Sequence, residues 1–124
     1  MYMDIEKPKK HKSQPTIQRK GSLPGQVIDG ISKLTNGKHD LSNVDVKKDA
    51  TMTAQLNAHA FTQGNSIHIA PGQEKHIAHE AWHVVQQREG RVKPTTQVAG
   101  QPVNDNPALE KEADEMGSRA MRVK

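Results

Sequence analysis

The 124-residue chain contains no cysteine. Disulfides, zinc fingers and thiol catalysis are thereby excluded, and any metal would have to be held by histidines and carboxylates. Structural zinc sites usually use thiolates, so a site built without them leans towards catalysis. Aromatic residues are nearly as scarce, with one Trp, one Tyr and one Phe. No stretch approaches the ~18–20 consecutive apolar residues that cross a bilayer. No apolar run follows the N-terminal lysines, as a signal peptide would require. The expectation is synthesis in the cytoplasm, with any export by a route other than a cleaved signal. With 32% hydrophobic residues and a mean hydropathy of −0.86, the chain can build at most one domain with a modest core, and part of it is expected outside the packed body.

The net charge of +4 is unevenly spread. Residues 1–22 carry six Lys/Arg against Asp4 and Glu6, which accounts for the whole excess, while the remainder balances twelve basic against twelve acidic residues. That segment, rich in Lys, Pro, Ser and Gln, reads as a disordered basic tail, and residues 23–124 as the domain. A basic tail can attach to nucleic acid or anionic lipid. No aromatic side chain is interleaved with these lysines to stack on bases, so nucleic-acid binding is not expected.

From Leu23 onward the text becomes periodic. Val27, Ile31 and Leu34 recur at helical spacing and end at Asn36-Gly37. A short alternating strand is centred on Val44 and Val46, and residues 51–58 read as a helical turn or short helix. Residues 58–63, Gly64-Asn65 and residues 66–70 read as a hairpin with a tight turn, and Pro71-Gly72 breaks its second strand. A helix is expected from about Gln73 to Glu89, stopped by Gly90, with Ile77, Ala81, Val84 and Val85 as its apolar stripe. Residues 91–105 read as an irregular or partly extended connection. Asn106-Pro107 then opens a last helix, Asn as N-cap and Pro at the first helical position, with Leu109, Ala113, Met116 and Ala120 on its apolar side. The class is α+β, with two closing helices against a small, mainly antiparallel sheet.

Within HIAHEAWHVVQQREG, residues 76–90, lies His-Glu-x-x-His. On a helix, His79 and His83 project from one face a turn apart and can grip one metal ion from a rigid element. Glu80 is rotated by about 100° from His79, so it addresses the metal's water rather than the metal. A third protein ligand is needed, with one position left open. Glu110 can supply it from the last helix. Asp114, one turn further, can accept the distal N–H of a ligand histidine and set its tautomer. Glu112 points elsewhere on that helix and is the weaker candidate. The ion that suits this donor set is Zn2+, one per chain.

The other polar residues of interest have plainer readings. His68 alternates with Ile67 and Ile69, so it is expected on the solvent side of its strand, or else lining a substrate groove. His76 and His59 read as surface positions that could neighbour the site, and Trp82 as a packing residue. Gln86, Gln87 and Arg88 continue past the motif and either position a carbonyl or cap a neighbouring loop.

Three stretches, DLSNVDVKKD, AFTQGNSIHIAPGQEKHIAHEAWHVVQQREGRV and VNDNPALEKEADEMGSRA, together resemble the extracellular contractile injection system (eCIS) core domain, a bacterial metallopeptidase-like family. The likeness runs from about Leu23 to Met121 and includes, in order, Ala-Phe-Thr-x-Gly-x-x-Ile, Pro-Gly-Gln, His-Glu-x-x-His-Val-Val-Gln-Gln and Glu-x-x-Ala-Asp. It implies a minimal zincin of the glutamate-ligand (gluzincin) kind. His79, His83 and Glu110 fall on the metal positions, Glu80 on the general base and Asp114 on the supporting carboxylate. It also implies that the strand before the active helix, Ile67, His68 and Ile69, lies at the sheet edge and pairs with an extended peptide. Members of the family lead bacterial toxins or are encoded beside phage-tail-like injection machines, so the implied partners are a peptide or protein substrate, injection-system components and a fused or cognate toxin. One departure stands out. Larger zincins supply a Tyr or His to the oxyanion, whereas the only tyrosine here is Tyr2, in the tail. Arg88, Arg91, His76 and His59 are the candidates to replace it. Two functions follow: a zinc peptidase acting on its own partner region or cargo, or a non-catalytic docking module that loads an effector.

Overall fold

The computed structural model describes residues 22–123, so all of the expected tail but Ser22 lies outside the described residues, Tyr2 included. In chain order the elements are α1 (Gly25–Leu34), β1 (Asp45–Lys48), α2 (Ala50–Gln55), β2 (Ala60–Gln63), β3 (Ser66–Ile69), a 3-10 turn (Glu74–His76), α3 (Ile77–Arg88), β4 (Thr96–Val98), β5 (Gln101–Val103) and α4 (Pro107–Ala120). The class is α+β. Two of the three strand pairings are antiparallel, β2 with β3 and β4 with β5, and β1 runs parallel to β3.

Local chemistry accounts for most boundaries. Val27 and Ile31, one turn apart, are buried on α1, and the helix stops where Asn36 (φ 54°) and Gly37 (φ 78°) turn left-handed. Gly64 takes φ 61° in the two-residue turn between β2 and β3, a conformation that costs glycine little. Asn106 caps α4 by accepting from the N–H groups of Ala108 and Leu109, with Pro107 at the first helical position. Of the two readings of the connection between α3 and α4, the partly extended one holds: it folds into the β4–β5 hairpin, turned by Ala99 and Gly100 at φ 52° and 77°.

The order of the main sheet is β1-β3-β2, which corrects the expected edge strand. Ile67, His68 and Ile69 occupy its centre, paired on both sides, and cannot take a third strand. His68 is also not solvated. It is buried, stacked on Phe61 with ring centroids 4.4 Å apart, and its Nδ1 lies 3.0 Å from Asp49 Oδ2. The physical reason is α2. Asp49 caps that short helix through Met52 N–H, and Leu56 packs with Phe61 on the sheet face that alternation alone assigns to water.

On the opposite face, Ile67 and Ile69 join Val27, Ile31, Leu41, Val44, Ala81, Val84, Val85, Ala113 and Ala120 in one core. Two glycines let helix backbones meet there. A Cβ on Gly30 would come within 2.1 Å of the Ala120 carbonyl oxygen, and one on Gly117 within 2.9 Å of the backbone of Ala78 and His79. The second contact seats α4 directly beside the histidine-bearing helix.

Candidate metal centre

The α3–α4 crossing brings His79, His83 and Glu110 together. Their Nε2 and carboxylate atoms all lie within 4.8 Å of one another and could hold a metal ion. The two Nε2 atoms are 3.0 Å apart, Glu110 Oε1 is 3.0 Å from His79 Nε2, and Glu110 Oε2 is 3.2 Å from His83 Nε2. Donors about 2.0–2.1 Å from a tetrahedral zinc lie about 3.3 Å apart, so the set is close to the size that ion needs. The chemistry of the donors also fits, because both Nδ1 atoms are engaged elsewhere. His79 Nδ1 lies 2.7 Å from Asp114 Oδ1, and His83 Nδ1 lies 2.7 Å from Gln86 Oε1. Donation from Nδ1–H to those oxygens leaves the Nε2 lone pairs directed at the common point.

The electrostatics show one coupled unit. Hydrogen bonding to Glu110 is the main cause that raises the His79 pKa to about 9, against the opposing effect of burial. For His83, burial is the largest effect and lowers the pKa, but Glu110 together with the Glu80 charge and Gln86 outweighs it, and the net direction is up. Burial likewise works to raise the Glu110 pKa, and hydrogen bonds from the two imidazoles overcome it, leaving it at about 2. Each shift thus comes from burial and from neighbours in the site, with Glu80, Asp114 and Gln86 adding to the three converging residues.

Glu80 is buried beside this group, and Thr62 Oγ1 lies 2.6 Å from its Oε1. A cleft of about 160 Å³ opens here, bordered by Glu80, His83 and Glu110 together with Leu56, Phe61, Val98 and Val103. None of the four candidate oxyanion donors borders it. Arg88 ties together Asp40, Asn43 and Asn65, and Arg91 pairs with Glu89 and Glu112. His59 and His76 stack on each other, centroids 5.4 Å apart.

Several residues here carry more than their sequence reading. Gln86 is fully buried, its Nε2 donating at 3.0 Å to both the Leu109 carbonyl and Glu112 Oε1. Glu112 also accepts from Trp82 Nε1 at 2.8 Å, so the carboxylate set aside as a ligand is a tie between helices. Gln87 holds the β2–β3 turn, accepting from Gly64 N–H and donating to the Thr62 carbonyl. A signal for Gln86 was available, since it follows His83 by three and so shares the helix face of the two histidines; nothing local marked Thr62.

The sequence model of the eCIS core domain matches residues 23–91, more than half of the chain. The chain belongs to the eCIS core domain family. The match contains His79, Glu80 and His83, while the α4 carboxylates Glu110 and Asp114 lie beyond it. No curated protein and no solved structure matches the chain.

Proposed function

We propose that this eCIS core domain is a zinc-dependent, peptidase-like domain of the minimal gluzincin kind, associated with bacterial contractile injection systems or their toxins. The observation that carries the reading is the convergence of His79, His83 and Glu110 within 4.8 Å, with buried Glu80 beside them at the cleft. The three converging residues hold one Zn2+, and Asp114 orients His79. When bound, zinc lowers the pKa of water to about 7 and polarises a peptide carbonyl. Glu80 takes the proton from the attacking water and returns it to the leaving amine. Thr62 fixes one oxygen of that carboxylate and leaves the other for the proton.

The sheet edge that serves a peptide is β2. His59 carbonyl accepts from Ala70 N–H, so residues 59, 61 and 63 bond to β3, and the backbone of Ala60 and Thr62 points outward beside the cleft. The Thr62 carbonyl is taken by Gln87, and Ala60 offers its N–H and carbonyl to an extended chain. Substrates on this reading are the chain's own partner region or a cargo protein, and export is through the injection apparatus. No helix among the described residues is long and apolar enough to cross a membrane.

The absence of Arg88, Arg91, His59 and His76 from the cleft border favours a second reading, a non-catalytic module that docks an effector. One experiment separates the two. Tag-free, zinc-loaded protein is assayed for cleavage of a fused or co-purified partner, wild type against Glu80→Gln. Peptidase action requires that the variant keep its zinc and lose cleavage; unchanged cleavage removes Glu80 from the mechanism, and intact effector loading without cleavage in either protein supports docking.

A further inference from the structure

We infer that the cleft beside the histidine–glutamate group selects peptides by one apolar side chain of leucine or phenylalanine size; this rests on the peptide-binding reading above. Leu56, Phe61 and Val98, which pack together, form with Val92 and Val103 the apolar part of the cleft wall, and the polar part includes Glu80, His83 and Glu110. The cleft volume of about 160 Å³ is close to the roughly 150 Å³ of an apolar cavity that accepts benzene, room enough for one side chain of that size. Water against the apolar part of the wall finds few polar partners there, and an apolar side chain that displaces it gains by burial.

The wall is also held in place. Val98 and Val103 belong to the β4–β5 hairpin, whose base is closed by polar bonds, one of them made by Asn104, which also borders the cleft. Thr95 Oγ1 donates to Asp105 Oδ1 at 2.6 Å, Thr95 N–H to the Val103 carbonyl at 2.9 Å, and Asn104 Nδ2 to the Lys93 carbonyl at 2.6 Å. Val98 packs onto Leu56 and Phe61, which themselves cover the sheet. An extended chain on the outward backbone of Ala60 sends alternate side chains to either face, and the face towards Phe61 meets this wall.

The full-length, zinc-loaded chain is titrated with leucine, glycine and aspartate hydroxamates, observed by calorimetry and by the methyl NMR signals of Val98 and Val103. The leucine probe is expected to bind roughly tenfold or more tighter than the other two and to shift both valines. Val98→Phe, which fills the cleft with an apolar group, is expected to abolish that preference. Equal affinities, a preference for aspartate, no binding, or an unchanged preference in Val98→Phe overturns the inference. On metal-free protein, isobutyramide against acetamide asks the same question of the same methyl signals. Failure of the peptidase reading shows separately, as cleavage of unfolded casein that is absent or indifferent to Glu80→Gln while the apolar preference persists.

Discussion

Gln86 joins His83 to the neighbouring helix: its Oε1 accepts from His83 Nδ1 at 2.7 Å, and its Nε2 donates to the Leu109 carbonyl of α4 at 3.0 Å. The orientation of one imidazole is thus fixed by the helix that carries the carboxylate opposite it. Gln86→Leu keeps the bulk and removes these two bonds and the one to Glu112. Leaving those groups unpaired should cost about 1–3 kcal/mol of stability, and zinc affinity should fall about 10–100-fold. Urea denaturation and competition against a zinc chelator measure the two effects; an unchanged zinc affinity would detach Gln86 from the site.

Glu110→Ala removes the only contribution of α4 to the converging donors. Elemental analysis of tag-free protein should find about one zinc per chain in the wild type and a large loss in the variant. Asp114→Ala should retain zinc at saturation but weaken binding by about 10–100-fold, because His79 loses its Nδ1 partner. Full retention of affinity by both would place the metal elsewhere.

Glu112 sets an acid limit. The hydrogen bond from Arg91 is the main cause that lowers its pKa to about 2, with Gln86 and Trp82 adding to it against burial. A carboxyl depressed on folding stabilises the folded state above its unfolded pKa, near 4.5, and that contribution disappears as pH falls from there to about 2. Glu112→Gln should therefore lower stability at neutral pH and flatten the decline between those two values. A pH series of urea midpoints tests this, and a parallel decline in both proteins would refute it.

Gly30 and Gly117 are a matched pair. Alanine favours an exposed helix interior by about 1 kcal/mol over glycine, yet a Cβ at either position would strike backbone at under 3.0 Å. Both Gly→Ala variants should lose stability. Only Gly117→Ala should also weaken zinc binding, because it pushes α4 away from His79, whereas Gly30 meets α4 at its far end, by Ala120. Thermal unfolding with a zinc titration separates the two, and equal zinc affinity in both variants would show that the α3–α4 spacing is not what positions the donors.

How far the chain could be read in advance depends on the range of the interaction. The Gly64-Asn65 hairpin, the Asn106 cap and the Gly90 stop rest on contacts within a few residues, and each was visible. The i, i+4 pair of His79 and His83 is equally local. His68 was misread because its burial depends on α2, whose packing against Phe61 no alternation pattern encodes. The edge strand was misplaced because strand order is set by which strand the chain returns to after α2, and β3 inserts between β1 and β2.

What the sequence determined by itself was therefore the parts: helices with one apolar face, a tight hairpin, two imidazoles a turn apart and two carboxylates a turn apart. Only the tertiary structure decided how the parts meet. Gly117 lets α4 lie on the backbone at His79, which brings Glu110 within 3.2 Å of both imidazoles, and the β4–β5 hairpin brings Val98 and Val103 to the cleft that His83 and Glu110 border. The physical reason is that caps and turns are settled by hydrogen bonds between near neighbours. Helix crossings and strand order are settled by close packing between segments far apart in the chain, where the presence or absence of one Cβ decides the distance.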